Sequence, residues 1–302
     1  MEQSSPLGSK VYLKPGTRES SEMTDNHENS KPSKMADTVN LPRILCLHGV
    51  GSNADILLLQ TRALREKLSS SFRFVFADGP FFSEAGPGVL PAYADADPYR
   101  RWLRWIDSHR VMKPKNHVES VRRCLEDAMV HDDESGGCGP WVGLLGFSQG
   151  ARLSASILYE CQRRREAIEK GEPLQGYEGN SSSILWSQNW QFAALFAAPA
   201  PLVALSPVIG DLPLQEPSQL GASLEDLERV NPPGKLFIER PTLHVIGVDD
   251  EWAPSQRKLY NAYCSPDAKF VLEWDGDHRI PIHAAETDEI CARILEMAAM
   301  KA

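Results

Sequence analysis

The chain lacks any apolar stretch long enough to span a bilayer as a helix. It also lacks a basic excess. Its 32 Lys and Arg stand against 41 Asp and Glu, a formal net charge of -9, which disfavours nucleic acid or an anionic membrane as a partner. Cysteine is sparse and unpatterned: the six, at positions 46, 124, 138, 161, 264 and 291, form no CxxC pair and no regular framework. Several fall in apolar runs, so buried thiols in a reducing compartment are expected rather than a disulfide scaffold. No Gly-rich phosphate loop appears. His278 and His283 are separated by Pro281, which is not the helical spacing of a metal pair. The N-terminus has no apolar centre of the signal-peptide kind, and the final MAAMKA is not a peroxisomal address, so a cytoplasmic location is expected.

What is present divides the chain in two. Residues 1–38 are rich in Ser, Glu, Lys, Asn and Pro with little to bury, the composition of a disordered tail. Residues 39–302 carry short apolar runs alternating with helix-like segments. RILCLHGV (43–50), FRFVFADGP (72–80), WVGLLGFS (141–148), FAALFAAPAP (192–201), PTLHVIGVDD (241–250) and KFVLEWDGDH (269–278) read as strands. Residues 54–68, 116–133, 151–165, 255–264 and 283–300 have helical spacing, with Ser52 or Asn53 available as a cap for the first. Residues 171–183 read as a surface loop and 202–239 as a Pro-rich excursion over the sheet edge. Strands alternating with helices predict an α/β fold: a doubly wound, mostly parallel sheet with helices on both faces. In such sheets ligands bind beyond the carboxyl ends of the strands, so His48-Gly49, Asp78, Ser148, Asp249-Asp250 and Asp277-His278 are the positions to examine.

The stretch LLGFSQGARLSAS places Ser148 between an apolar strand and a helix, inside G-x-S-x-G. That context suits a nucleophile elbow, in which a tight turn lifts the serine hydroxyl out of the sheet and small flanking residues let strand and helix approach. A serine hydroxyl is inert at neutral pH without a base, normally a histidine oriented by a carboxylate. Of the eight histidines only His278 closes the last strand. Ser148, an Asp of the 249–250 pair and His278 follow the α/β-hydrolase order. The pattern alone leaves Asp249 and Asp250 open, and either could cap the following helix. The oxyanion-hole donors are expected to be the backbone N–H groups of Gln149, after the nucleophile, and of Val50, in the loop after the first strand. No metal or cofactor is called for.

LHGVGSN, FRFVFADGPF, AGPGVLP, GFSQGA, HVIGVDDEW and DGDHRIP together resemble the FSH family of serine hydrolases, from about Leu41 to the end. Its pattern G-x-x-D after a strand then points from Gly247 to Asp250. Where that family has GGH, this chain has Gly276-Asp277-His278, a carboxylate next to the base that could alter its pKa. The AGPGVLP and RRW blocks are most similar to fungal members associated with polyketide synthases. The resemblance therefore implies a serine esterase or thioesterase acting on a polyketide-type acyl chain, carrier-bound or free, in secondary metabolism. A general small-ester carboxylesterase, an acyl transferase and a non-catalytic hydrolase-fold binding protein are the alternatives. Phe81, Phe82, Trp102, Trp105, Phe147 and Trp252 are candidates to wall an apolar pocket. Arg100, Arg101 and Arg104 are candidates for a local docking patch, against an ordinary solvated face.

Overall fold

The computed structural model describes residues 39–172, 183–206, 214–220 and 237–300. The expected tail over 1–38, most of the expected loop at 171–183 and much of the expected excursion at 202–239 lie outside the described residues.

In chain order the elements are β1 (Arg43–Leu47), α1 (Ala54–Gln60), α2 (Arg62–Leu68), β2 (Arg73–Ala77), β3 (Phe81–Phe82), β4 (Arg100–Arg101), α3 (Pro114–Glu134), β5 (Trp141–Phe147), α4 (Gln149–Glu169), α5 (Ile184–Ser187), β6 (Phe192–Phe196), β7 (Thr242–Gly247), α6 (Ala253–Tyr263), β8 (Lys269–Trp274) and α7 (Ala284–Ala299). Six strands form one sheet in the order β2-β1-β5-β6-β7-β8, and every pairing is parallel. β3 and β4 form a separate antiparallel pair that stiffens the long Gly- and Pro-rich loop after β2.

The central strands β1 and β5 are buried along their whole length, and both sides of each strand have a helix layer to pack on. Leu45 and Leu47 of β1 point into the layer holding Val118 and Leu125 of α3 and Leu153 and Leu158 of α4. Ile44 and Cys46, alternating with them, point into the opposite layer with Leu57, Leu64, Ile290 and Ile294. In α3, Val118, Val121, Leu125 and Met129 recur at the three- and four-residue spacing of a single buried stripe, while Pro114 opens the helix where its missing N–H costs nothing. Each such leucine contributes about 1.5–3 kcal/mol by leaving water. The result is the α/β fold the alternation implies, with helices on both faces.

Residues 54–68 were expected as one helix but form two. The buried hydroxyl of Thr61 donates to the Leu57 carbonyl at 2.7 Å and competes with the helical ladder at that point. The first helix is capped by Asn53, whose Oδ1 accepts the Ile56 N–H at 2.9 Å.

The chain runs from β1 outward to β2, then returns to place β5 on the other side of β1. The connections leaving the carboxyl ends of β1 and β5 therefore diverge, which opens a crevice at this switch point. The segments following β1, β5, β7 and β8 carry the candidate site.

Candidate active site

Ser148 sits between β5 and α4 with φ 51° and ψ -115°, a conformation uncommon for a residue with a side chain. The turn is tight because its neighbours have no side chains. A β-carbon on Gly146 would stand 2.4 Å from the Ala151 Cα, and one on Gly150 would stand 2.2 Å from the Leu47 carbonyl oxygen. The Ser148 N–H donates to the Phe196 carbonyl at 2.8 Å, tying the turn to the end of β6.

His278 follows β8 and reaches Ser148 across the crevice. The serine Oγ lies 2.9 Å from its Nε2, and its Nδ1 donates to Asp250 Oδ2 at 2.6 Å. Asp250 follows β7 and is buried, whereas its neighbour Asp249 is exposed. The Asp250 carboxylate also accepts the Trp252 N–H at 2.9 Å and the Gln256 side-chain amide at 2.6 Å. Burial alone would push the Asp250 carboxyl up. The bonds from His278, Trp252 and Gln256 outweigh burial and hold it below the usual carboxylate range. Asp250 is thus an ionised acceptor that fixes the ring and would stabilise an imidazolium. The extra carboxylate next to the histidine, Asp277, is exposed and forked with Arg279, at 2.8 Å from Arg279 Nη2. Its negative charge is therefore already matched.

The loop after β1 is fixed from beneath by His48. Its Nδ1 donates to the Gly49 carbonyl at 2.7 Å and its Nε2 accepts the Gly79 N–H at 2.9 Å, which requires a neutral ring. Burial lowers its pKa to about 4 in agreement with that. The Trp102 indole packs on this ring at 5.1 Å and donates to the His48 carbonyl at 2.9 Å. The Gln149 side chain pins the facing loop, its Oε1 accepting the Trp102 and Leu103 N–H groups at 2.8 Å each. Neither the Val50 nor the Gln149 backbone N–H donates to a protein acceptor among the described residues, and both residues line the crevice beside Ser148.

That crevice opens into a cavity of about 860 Å³. Of the aromatic candidates, Trp105, Phe147 and Trp252 line it. Phe81, Phe82 and Trp102 do not. Phe81 packs on His117 at 4.7 Å, Phe82 is exposed beneath Arg100, and Trp102 is sealed under the site against His48. The arginine trio is not an open patch either. Arg100 lies over Phe82 at 4.0 Å, Arg101 is buried over Phe81 at 4.8 Å, and Arg104 donates to the His109 carbonyl at 2.9 Å. Among the described residues no group of three or more His, Cys, Asp or Glu side chains could hold a metal ion, and no helix is long and apolar enough to cross a membrane.

His48, Gln256 and the side-chain role of Gln149 were not assigned from sequence. His48 had a signal, its position directly after a strand. Gln256 had none, because it reaches Asp250 from the second turn of α6.

A parallel sheet with a serine on a sharp strand-to-helix turn, and Asp and His brought to it from later strands, defines the α/β-hydrolase class. The comparisons narrow this. The chain matches the serine hydrolase (FSH1) family over residues 38–290 and belongs to that family. It is 55% identical over 250 residues to a probable esterase, TOX9, of Cochliobolus heterostrophus, covering 82% of this chain and 90% of that one. It is 40% identical over 267 residues to the esterase citA of Monascus ruber, covering 87% and 94%. It is 41% identical over 263 residues to the esterase claE of Penicillium crustosum, covering 86% and 94%. Among solved structures, a Bacillus cereus carboxylesterase aligns over 86% of this chain and 91% of its own at 14% identity, with a TM-score of 0.47.

Proposed function

We propose that this serine hydrolase is an esterase in which Ser148, His278 and Asp250 form the catalytic triad, and that residues 39–302 are the catalytic unit. The observation that carries the reading is the continuous hydrogen-bonded chain from Ser148 Oγ through His278 to the buried Asp250. Ser148 Oγ attacks the acyl carbonyl as His278 Nε2 takes its proton. The N–H groups of Val50 and Gln149 donate to the oxyanion. Collapse of the tetrahedral intermediate breaks the bond to the alcohol or thiol, which leaves with the proton from His278. Water then attacks the acyl-enzyme, giving its proton to His278, and Ser148 recovers a proton as the acid departs.

The acyl group is proposed to be a polyketide-type chain, free or carrier-bound, handled in the cytoplasm. The family resemblance supports the chain type. The cavity supports its bulk, with space for a drug-sized acyl group and with Trp105, Phe147 and Trp252 as apolar walls. The location rests on the sequence, whose six cysteines form no CxxC pair and no regular framework. Wild type is expected to hydrolyse aryl esters and N-acetylcysteamine thioesters of such chains. Ser148→Ala is expected to lower kcat by about 10⁵-fold or more while its melting temperature stays near that of wild type. Turnover near wild type in that variant would overturn the assignment.

A further inference from the structure

Arg152 stands one helical turn beyond Ser148 on α4, its N–H donating to the Ser148 carbonyl at 3.0 Å. It is 6% exposed, in a buried stretch of the helix that carries no other charged side chain from Gln149 to Tyr159. Of the other two buried arginines among the described residues, Arg101 lies over Phe81 away from the cavity lining, and Arg43 is matched by an acid. Arg43 lies 3.1 Å from Asp132, and Arg164 lies 2.6 Å from Glu160. Arg152 has no such match among the described residues. Its Nε donates to the Pro201 carbonyl and its Nη2 to the Gln215 side-chain oxygen, both neutral acceptors, and Nη1 has no acceptor among the described residues. Burial lowers its pKa to about 10, which still leaves it cationic at neutral pH.

This side chain borders the same cavity as Ser148, together with Pro199, Ala200 and Leu220. The guanidinium is held beside that cavity by Pro201 and Gln215, on the same helix that begins at the serine. The other cationic side chains lining the cavity are already engaged: Arg104 with the Asp107 and His109 carbonyls, and Arg279 with Asp277. The lining carboxylates Glu251 and Asp275 are exposed and make no ion pair with Arg152. A buried cation held by neutral acceptors is costly unless an anion completes it, and an arginine with a free N–H edge is suited to a carboxylate.

We propose that Arg152 is the recognition point for a carboxylate on the acyl chain, so that this enzyme takes acidic esters or thioesters in preference to neutral ones. The inference rests on the proposed esterase reading of Ser148. It adds to that reading a charge for the substrate and a polarity for the cavity, with the scissile carbonyl at Ser148 and the acid at Arg152.

The test uses matched pairs that differ only in that acid. Mono-4-nitrophenyl esters of glutarate, adipate and suberate are compared with their methyl-capped neutral counterparts. Wild type is expected to favour the acidic member of at least one pair by about tenfold or more in kcat/KM, the value of a hydrogen bond to a charged group. The ratio should fall toward one in Arg152→Gln, be partly kept in Arg152→Lys, and survive Arg104→Gln and Arg279→Gln. Binding to Ser148→Ala, measured by calorimetry with monomethyl and dimethyl suberate, gives a readout free of turnover and of any folding defect at Arg152. Tighter binding of the acidic ligand there supports the proposal even if wild type hydrolyses neither ester, an outcome that would count against the esterase reading alone. Equal rates in every pair with equal affinities would overturn it. So would a preference that persists in folded Arg152→Gln or disappears in Arg104→Gln or Arg279→Gln.

Discussion

The two ends of the central sheet both bury charge, and they do so differently. At the amino ends of β1 and β2, Asp132 of α3 lies between Arg43 and Arg73, 3.1 Å from one and 2.7 Å from the other. Arg43 also covers the Trp141 ring at 4.1 Å and donates to the Gly139 carbonyl at 2.7 Å. The charges there are met by their opposites or by a carbonyl, and none of these residues lines the cavity beside Ser148. At the carboxyl ends, Ser148 holds an unfavourable φ, His48 is buried neutral, and Arg152 is buried without an acid partner among the described residues. One end is balanced in itself. The other carries strain and incomplete polar groups around a cavity, as expected of a site that a ligand completes.

The comparison can be broken at either end. The largest effect is expected from Asp250→Asn, which would leave His278 without an ionised partner. We expect kcat on an aryl ester to fall by about 10⁴-fold with the fold retained, measured with circular dichroism beside the kinetics. A loss below tenfold would mean that Asp250 only caps the turn before α6. Asp132→Ala should do the reverse. It leaves Arg43 and Arg73 facing each other without their shared acid, which should cost about 3–5 kcal/mol of stability. In a denaturant titration the midpoint should drop, while kcat at a temperature well below melting stays within about twofold of wild type, because the cluster does not touch the cavity. A large fall in kcat would show that the two ends are not separable.

The smallest effect concerns pH. Burial holds the His48 pKa near 4, below the ordinary value of 6.5. The unfolded chain then takes up a proton that the folded chain refuses, so His48's favourable contribution is complete above about pH 6.5 and is lost as pH falls toward 4. His244, buried within β7 with a pKa near 3, acts in the same direction. Asp250, whose pKa is depressed, adds a further loss only below the usual carboxylate range, near pH 4 and under. His48→Asn should flatten the stability profile between pH 6.5 and 4 by about 3 kcal/mol relative to wild type, read from denaturant midpoints across that range. An unchanged slope would place the acid sensitivity elsewhere.

The alternation of strands and helices was legible because apolar runs ending in Gly or Asp mark the carboxyl ends of a parallel sheet. The same ends carry HG, GFSQG, VDD and GDH, so Ser148, His278 and the Asp249-Asp250 pair were legible from the pattern, and the resemblance to the FSH family singled out Asp250. The split at Thr61 was not legible, because one buried hydroxyl decides it. Nor was the fate of the aromatics: Trp102 and Trp105 lie three residues apart in one loop, yet Trp102 faces His48 under the site and Trp105 faces the cavity. Loop side chains have no period from which a direction can be read. Arg152 was passed over for a related reason. The helix that carries it was legible, but only the fold shows that its partners among the described residues are neutral.

The account stands on Ser148 being an activated nucleophile. Intact-protein mass spectrometry after incubation with a fluorophosphonate, on wild type and Ser148→Ala, tests that most directly. The account predicts a single covalent adduct on wild type and none on the variant. A well-folded wild type without an adduct, or an adduct that persists in Ser148→Ala, would contradict it.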